Sequence, residues 1–354
     1  PGLDLSNSEK VFETSIGAIV NGDIGKKISF SVNFLSGNSG FVNYLDSIIK
    51  NNDVVPGQGY AHKTSMGYAY SSFEGYVSYA PSKNFNIQLG QGKNFWGDGY
   101  RSLLLSDNSY SYPFLKISTN VWKLKYINLF TVFQDINNSS PLSTWTGARG
   151  KIKYGSFHYL SWNVTKRLNI GLFESIIWQG EDSSGVRGYD INYLNPIIFY
   201  RPVEYSLGSA DNALLGLNVK LKIAKKQQLY GQVILDEFFL KEVKARNGWW
   251  ANKQGFQVGF KSFDLFRFEN LTFQTEFNYV RPYTYSHGSS LQNYAHSNQP
   301  LAHPLGANFY ESVSFLQYRY KNWLFEGKFL YAVYGADTPG SNWGGNIFLD
   351  YKTP

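Results

Sequence analysis

The run Leu215-Gly-Leu-Asn-Val-Lys-Leu-Lys-Ile-Ala-Lys-Lys226 places Leu215, Leu217, Val219, Leu221 and Ile223 on one side of an extended chain, with Gly216, Asn218, Lys220 and Lys222 on the other. Successive side chains of a strand point to opposite faces, so this is a strand with one apolar and one polar face, ended by a tight turn at Ala224–Lys226. The pattern recurs along the chain. Ile28, Phe30, Val32 and Phe34 alternate with Ser29, Ser31 and Asn33; Phe256, Val258 and Phe260 with Gln257, Gly259 and Lys261; Leu271, Phe273, Phe277 and Tyr279 with Thr272, Gln274, Glu276 and Asn278.

Two-faced strands build soluble sandwiches as well as membrane barrels, and the connections discriminate between them. Tight turns are expected at Asn21–Gly25, Pro81–Asn84, Val121–Trp122, Val164–Lys166, Ala224–Lys226 and Lys321–Asn322, with a somewhat longer one at Asp264–Asn270. Between them run long segments, near 37–65, 94–112, 136–150, 179–212, 240–253, 282–310 and 336–344. Short and long connections therefore alternate through seven hairpins. That two-ended rule is the one outer-membrane barrels obey, with short periplasmic turns and long outer loops. Aromatic residues near the strand ends (Phe73, Tyr76, Tyr79, Trp122, Tyr126, Tyr318, Tyr320 and Trp323) suit the rings at the headgroup level of such a barrel. The sequence thus reads as an all-β, transmembrane outer-membrane antiparallel β-barrel of 14–18 strands, forming one domain over residues 1–354. A fifteenth strand is expected to begin at Asn346, Phe348 and Asp350, which implies that the natural chain continues beyond Pro354; closure with fourteen strands is the alternative. The start at Pro1, without an initiator Met or a signal peptide, reads as that of a mature or trimmed chain.

Composition is consistent with this reading. Aromatics are 18% of the chain against 43% hydrophobic in all, and the mean hydropathy is −0.32. No run approaches eighteen apolar residues, so a helical span is excluded, whereas a barrel strand shows lipid only every second residue. With no cysteine there is no thiol nucleophile, thiolate metal site or iron–sulfur cluster. The formal charge of +7 favours acidic partners such as phosphorylated lipopolysaccharide or an acidic polysaccharide. The basic residues are spread over many segments, which speaks against nucleic acid.

Three segments carry candidate sites. Gly90 to Asp107 interleaves four glycines with Trp96, Asp98, Tyr100 and Arg101; lacking the Gly-x4-Gly-Lys spacing, it is no phosphate loop. It suits either a loop folded inward as scaffold or a direct ligand contact. Tyr189 to Leu215 sets Asn195, Arg201, Glu204, Asp211 and Asn212 among Phe199, Tyr200 and Tyr205. Aromatic rings beside such groups could stack on a pyranose and hydrogen-bond its hydroxyls, or the charges could simply rigidify the lumen. Tyr294 to Asn308 holds His296 and His303 seven apart, with a proline following each (Pro300 and Pro304), without a zinc-protease glutamate, so no metal and no cofactor are expected. Trp249 and Trp250 follow Gly248 in an outer loop and could stack on sugar or fold back onto the rim. The adjacent pairs Glu181/Asp182 and Asp236/Glu237 would point to opposite faces of a strand, and no Gly-x-Ser-x-Gly elbow is present, so no enzyme is expected.

The runs GKNFWGDGYRSLLLSD, YLNPIIFYRPVEYSLGSADNALLG and NQPLAHPLGANF resemble the capsule assembly protein Wzi family in its Bacteroidetes branch, including gliding-motility members of the RemB type; the similarity spans most of residues 60–350. The resemblance implies a large outer-membrane barrel of about eighteen strands. It also implies a lectin-like role in holding capsular or exopolysaccharide at the cell surface. The expectation is therefore a non-enzymatic barrel that binds or organises surface polysaccharide, in contact with lipopolysaccharide, outer-membrane lipid and other envelope proteins. A component of a gliding, secretion or adhesion machine and a passive pore are the alternatives.

Overall fold

The computed structural model describes residues 2–4, 9–138, 150–182, 185–199, 211–236, 244, 249–338 and 340–352. Fourteen long strands form its wall: β1 (Glu9–Ile24), β2 (Ile28–Gly40), β3 (Gly67–Ser82), β4 (Phe85–Gly92), β5 (Tyr112–Val121), β6 (Leu124–Asp135) and β7 (Lys151–Asn163) make the first half. The second half is β8 (Leu168–Gln179), β9 (Asn212–Ala224), β10 (Gln227–Leu235), β11 (Gln254–Ser262), β12 (Leu271–Val280), β13 (Phe309–Tyr320) and β14 (Trp323–Tyr334). Each strand pairs antiparallel with the next in chain order, a plain up-and-down meander. Six of the seven tight turns fall where the sequence puts them; the first lies at 25–27 instead of Asn21–Gly25, because Asn21 to Ile24 still pair with Ser31 to Ile28. All seven lie at one end of the sheet, and the long connections gather at the other. Among the described residues β14 pairs only with β13, while β1 pairs with β2 and with the short strand Gly2–Asp4.

The two faces of this sheet are inverted relative to a soluble protein. On β11 the polar Gln257 is 1% exposed while its neighbour Val258 is 57% exposed. Asn218 and Gln232 are likewise buried while Leu217 and Val233 are exposed. A soluble sheet turns its apolar face to the core; here that face is the outer surface and the polar one lines the interior. The architecture is that of an antiparallel membrane-spanning β-barrel. Rings at Tyr79, Trp122, Tyr318 and Trp323 are exposed near the strand ends, whereas Phe73, expected there too, is exposed in mid-strand. No helix among the described residues is long and apolar enough to cross a membrane. The helix α1 (Asn43–Asn52) tucks Ile49 against Val55, Tyr68 and Tyr70.

The expected fifteenth strand is not formed. Residues 346–352 run through turns instead, because their groups are taken up by the loops they cross. Ile347 is buried in the interior core, its carbonyl accepts from Asn293 Nδ2 (3.1 Å), and Tyr351 N donates to the His287 carbonyl.

The charge distribution is also decided by topology. The seven turn segments 23–28, 82–85, 121–125, 163–168, 222–227, 262–271 and 319–323 contain thirteen Lys and Arg against three Asp and Glu. Of 33 basic and 26 acidic residues in the whole chain, 20 and 23 lie elsewhere, so the remainder carries −3.

Gly90 on β4 lets the wall close at one point, since a Cβ there would lie 2.2 Å from the Gly75 carbonyl oxygen and 2.7 Å from Tyr76 Cα. Gly90→Val is expected to lower unfolding free energy by roughly 1–3 kcal/mol, read from the urea midpoint of the refolded barrel.

Candidate functional site: a loop latched inside the barrel

The connection between β4 and β5, residues 93–111, folds into the barrel rather than away from it. Its fold is closed on itself by Trp96 N donating to the Leu105 carbonyl (2.9 Å) and by Ser102 Oγ donating to the Trp96 carbonyl (2.6 Å). Gly99 is required by close approach, because a Cβ there would meet Glu276 Oε2 at 2.3 Å. The loop then gives its backbone to the polar residues that line β9 to β13. Glu276 accepts from the amides of Tyr100 (2.8 Å) and Arg101 (3.1 Å), and Gln232 Oε1 accepts from Leu103 N (2.7 Å). Asp98 accepts from Lys220 Nζ (2.5 Å) and Asn218 Nδ2 (2.9 Å), and its carbonyl from Lys261 Nζ (2.7 Å). Arg101 reaches Glu311 with two hydrogen bonds of 3.3 and 3.1 Å, and His303 Nε2 sits 2.8 Å from the same carboxylate. A buried carboxylate is tolerable only with such partners, so the inward polar face of the wall and the loop need each other.

Behind this latch lies an apolar core. Trp96 stacks on Tyr159 (5.3 Å between centroids) and meets Phe157 and Phe173 edge-on; Leu103, Leu104 and Leu105 are fully buried. The connection between β12 and β13 closes over it. Tyr285 and Tyr294 donate hydroxyls to the Leu103 and Leu104 carbonyls, and buried Lys153 on β7 donates to Asn293 Oδ1 (2.6 Å).

His296 belongs to this second loop and is held in one tautomer. Its Nδ1 accepts from Gln134 N (3.0 Å), which leaves Nε2 to donate to the Ser111 carbonyl (3.3 Å). Burial pushes its pKa down to about 3. His303 is lowered by burial too, opposed by the neighbouring Glu311. Among the described residues no group of three or more His, Asp or Glu is placed to hold a metal.

Of the residues singled out in the sequence, Trp96 is buried in the core, and Asp98 and Arg101 are engaged by the wall. Tyr100 is the partly open one. Its ring lies 4.7 Å from Phe315, and its hydroxyl accepts from Lys328 Nζ (2.9 Å). It separates a cavity of about 650 Å³, lined by Arg101, Asp107, Asn108 and Pro304, from a neighbouring one of about 310 Å³ lined by Phe315, Gln317, Glu326 and Lys328; Gln274 borders both. Trp250 is half-exposed at the loop end, with Tyr283 (5.4 Å) and Tyr351 (5.2 Å) around it, and Trp249 beside it (6.5 Å). Asp211 is buried under a two-pronged Arg187 contact (2.9 and 2.8 Å) and the Tyr193 hydroxyl (2.7 Å); Asn212 donates to the Gln292 carbonyl (2.9 Å). Arg201 and Glu204 lie outside the described residues.

The segment 189–199 does not enter the lumen. It straps the outer face of β6 to β8, where Ser156 Oγ donates to the Tyr193 carbonyl (2.7 Å), the Tyr126 hydroxyl to Pro196, and Phe199 N to Glu174 Oε2 (2.6 Å). The strap covers Asn128, His158 and Glu174, polar groups on a face that is elsewhere apolar, and turns Ile191 and Ile197 outward. β8 is largely buried on both faces because one meets the lumenal core and the other this strap.

Sequence reasoning missed the wall side of the latch: Lys220, Gln232, Gln257, Glu276 and Glu311. Lys220, Gln257 and Glu276 sit at the polar positions of alternating strands and could have been read as inward; the strands holding Gln232 and Glu311 were not singled out. What they grip could not be read. Arg187 likewise carried no motif.

No family model and no curated protein matches the sequence. Among solved structures the chain is similar in overall shape to Pseudomonas aeruginosa OpdQ (9% identity, covering 93% of this chain and 90% of that one, TM-score 0.41). It is similar also to P. aeruginosa OccK5, or OpdH (10% identity, 92% and 88%, TM-score 0.44), and to a triple mutant of the Rhodopseudomonas blastica porin (9% identity, 90% and 85%, TM-score 0.40). Likeness at this level says nothing about function.

Because His296 resists protonation in the folded chain, the unfolded chain binds the extra proton, and the stability it contributes is present above pH 6.5 and lost as pH falls toward 3. Going from pH 7 to pH 5 is expected to cost about 2 kcal/mol in urea unfolding. His296→Gln should lose most of that pH dependence; an unchanged slope would remove His296 from the account.

Proposed function

We propose that this chain is a non-enzymatic outer-membrane barrel, its lumen blocked by its own loop, that binds surface polysaccharide at its long-loop end. The observation that carries the reading is the latch: Asp98 and the amides of Tyr100 and Arg101 are held by Lys220 and Glu276 from the wall. A diffusive pore has no use for a lumen filled with Leu103, Leu104 and Trp96. A scaffold that displays rigid loops does, since rigid loops lose less entropy on binding. Short turns then face the periplasm and long loops the exterior, as in barrels of this kind. The half-exposed Trp250 with Tyr283 and Tyr351 offers an aromatic platform for the C–H face of a pyranose. The resemblance to the Wzi family points the same way. Since the basic excess lies at the turn end, attraction of acidic glycans by the net charge has no support at the loop end, and the platform suits neutral sugars.

A second reading, a narrow passage for small polar solutes, is favoured by the two cavities that meet at Tyr100 and Gln274.

In planar bilayers the wild-type chain is expected to show no steady conductance, and Asp98→Ala combined with Glu276→Ala to raise open events as the loop loosens. A steady wild-type channel would establish the passage and sink the blocked-lumen reading. On a glycan array Trp250→Ala should weaken the best signal roughly tenfold; no loss would remove the platform from the proposal.

A further inference from the structure

The thirteen basic residues of the turn segments belong to seven hairpins that are far apart in sequence, yet the meander delivers all of them to one rim. Every one is exposed. Adjacent pairs stand at Lys26–Lys27, Lys166–Arg167 and Lys225–Lys226, and among these Lys226 is the one that meets a carboxylate, that of Asp264. The rim is interleaved with rings. Trp122 is 79% exposed with Lys123 Nζ 5.2 Å from its ring centroid, and Lys321 Nζ lies 5.3 Å from the Tyr320 ring.

We infer that this rim is a binding surface for anionic phospholipid headgroups in the leaflet that surrounds the short-turn end. Three features fit that occupant. The charge complements a phosphate layer, and juxtamembrane Lys and Arg are drawn to anionic lipid. The rings sit at the ends of membrane-spanning strands, where hydrocarbon gives way to headgroups, so an ammonium beside them reaches lipid phosphate while its stem stays on apolar surface. Last, the cations are distributed over all seven hairpins rather than gathered in a patch. A compact protein partner would touch a few turns; a leaflet touches all of them. The inference is independent of what the long loops bind and requires only that the strands span a bilayer.

The test uses the full chain in detergent micelles carrying equal amounts of phosphatidylglycerol and phosphatidylcholine, with retained lipid counted by native mass spectrometry. Phosphatidylglycerol is expected to be enriched about fivefold, and the enrichment to fall toward one in 1 M salt, where the screening length is about 3 Å. A variant with Lys26→Gln, Lys27→Gln, Lys166→Gln, Arg167→Gln, Lys225→Gln and Lys226→Gln should lose most of it. The loop-end set Lys50→Gln, Lys63→Gln and Lys352→Gln should keep it. Equal retention of both lipids, an enrichment that survives the turn substitutions, or one lost equally with the loop-end set overturns the proposal. So does tighter retention of soluble polyphosphate than of phosphatidylglycerol. Heat-modifiable gel mobility shows whether each variant is folded. Should the turn variant fail to fold, the salt series on the wild type decides.

Discussion

The carboxylate of Glu276, accepting hydrogen bonds from two consecutive backbone amides of the inward loop and from the Tyr230 hydroxyl, is the contact on which the interior of this barrel depends. The loop is a stretch of irregular backbone enclosed by a wall, and its amides have no ladder to join. The wall side chains are polar groups removed from bulk water. Each set would be costly alone, because a buried donor or acceptor without a partner loses its hydration for nothing. Joined, they satisfy each other. Asp98 with Lys220, and Glu311 with Arg101 and His303, repeat the same solution at other points of the wall.

Once the loop is fixed there, much else follows. Its apolar residues have to pack, and Trp96 with Leu103 to Leu105 does so against Tyr159, Phe157 and Phe173 of the wall. The second loop finds a surface to cover, and His296 becomes buried in a tautomer set by Gln134 and Ser111. Among the described residues, two cavities stay open around Tyr100 and an aromatic group around Trp250. The strap of residues 189–199 applies the reverse rule outside: where the wall turns Glu174, His158 and Asn128 outward, backbone and hydroxyl groups cover them and apolar side chains face away.

The strands, their faces and the order of turns were legible in the sequence because each is a local property: period-two alternation marks a strand, and a tight turn needs only a few residues. The seven turns and the six long connections between strands appear where alternation stops. Alternation alone does not say which way those faces point; the order of short and long connections, read as that of a membrane barrel, is what turns the apolar face outward. Leu217 and Val258 are exposed and Asn218 and Gln257 buried, and alternation is the same for either arrangement. The expected strand at Asn346, Phe348 and Asp350 fails for a related reason: three alternating residues are a weak signal, and Ile347, which lies between them, is drawn into the interior core instead.

Among the candidate residues, the unusual segments stand out in the sequence: the glycine-interleaved run with Trp96, Asp98, Tyr100 and Arg101, the segment leading to Asp211 and Asn212, and the Trp249–Trp250 pair. That Asp98 and Arg101 hold a loop inside the barrel, that Tyr100 borders open space, and that the basic residues of seven separate turns form one rim emerges from the folded chain alone. The reason is physical. Alternation and turns depend on neighbours a few residues away. Partners such as Arg101 and Glu311, 210 positions apart, meet only after every hairpin between them has been laid down in register.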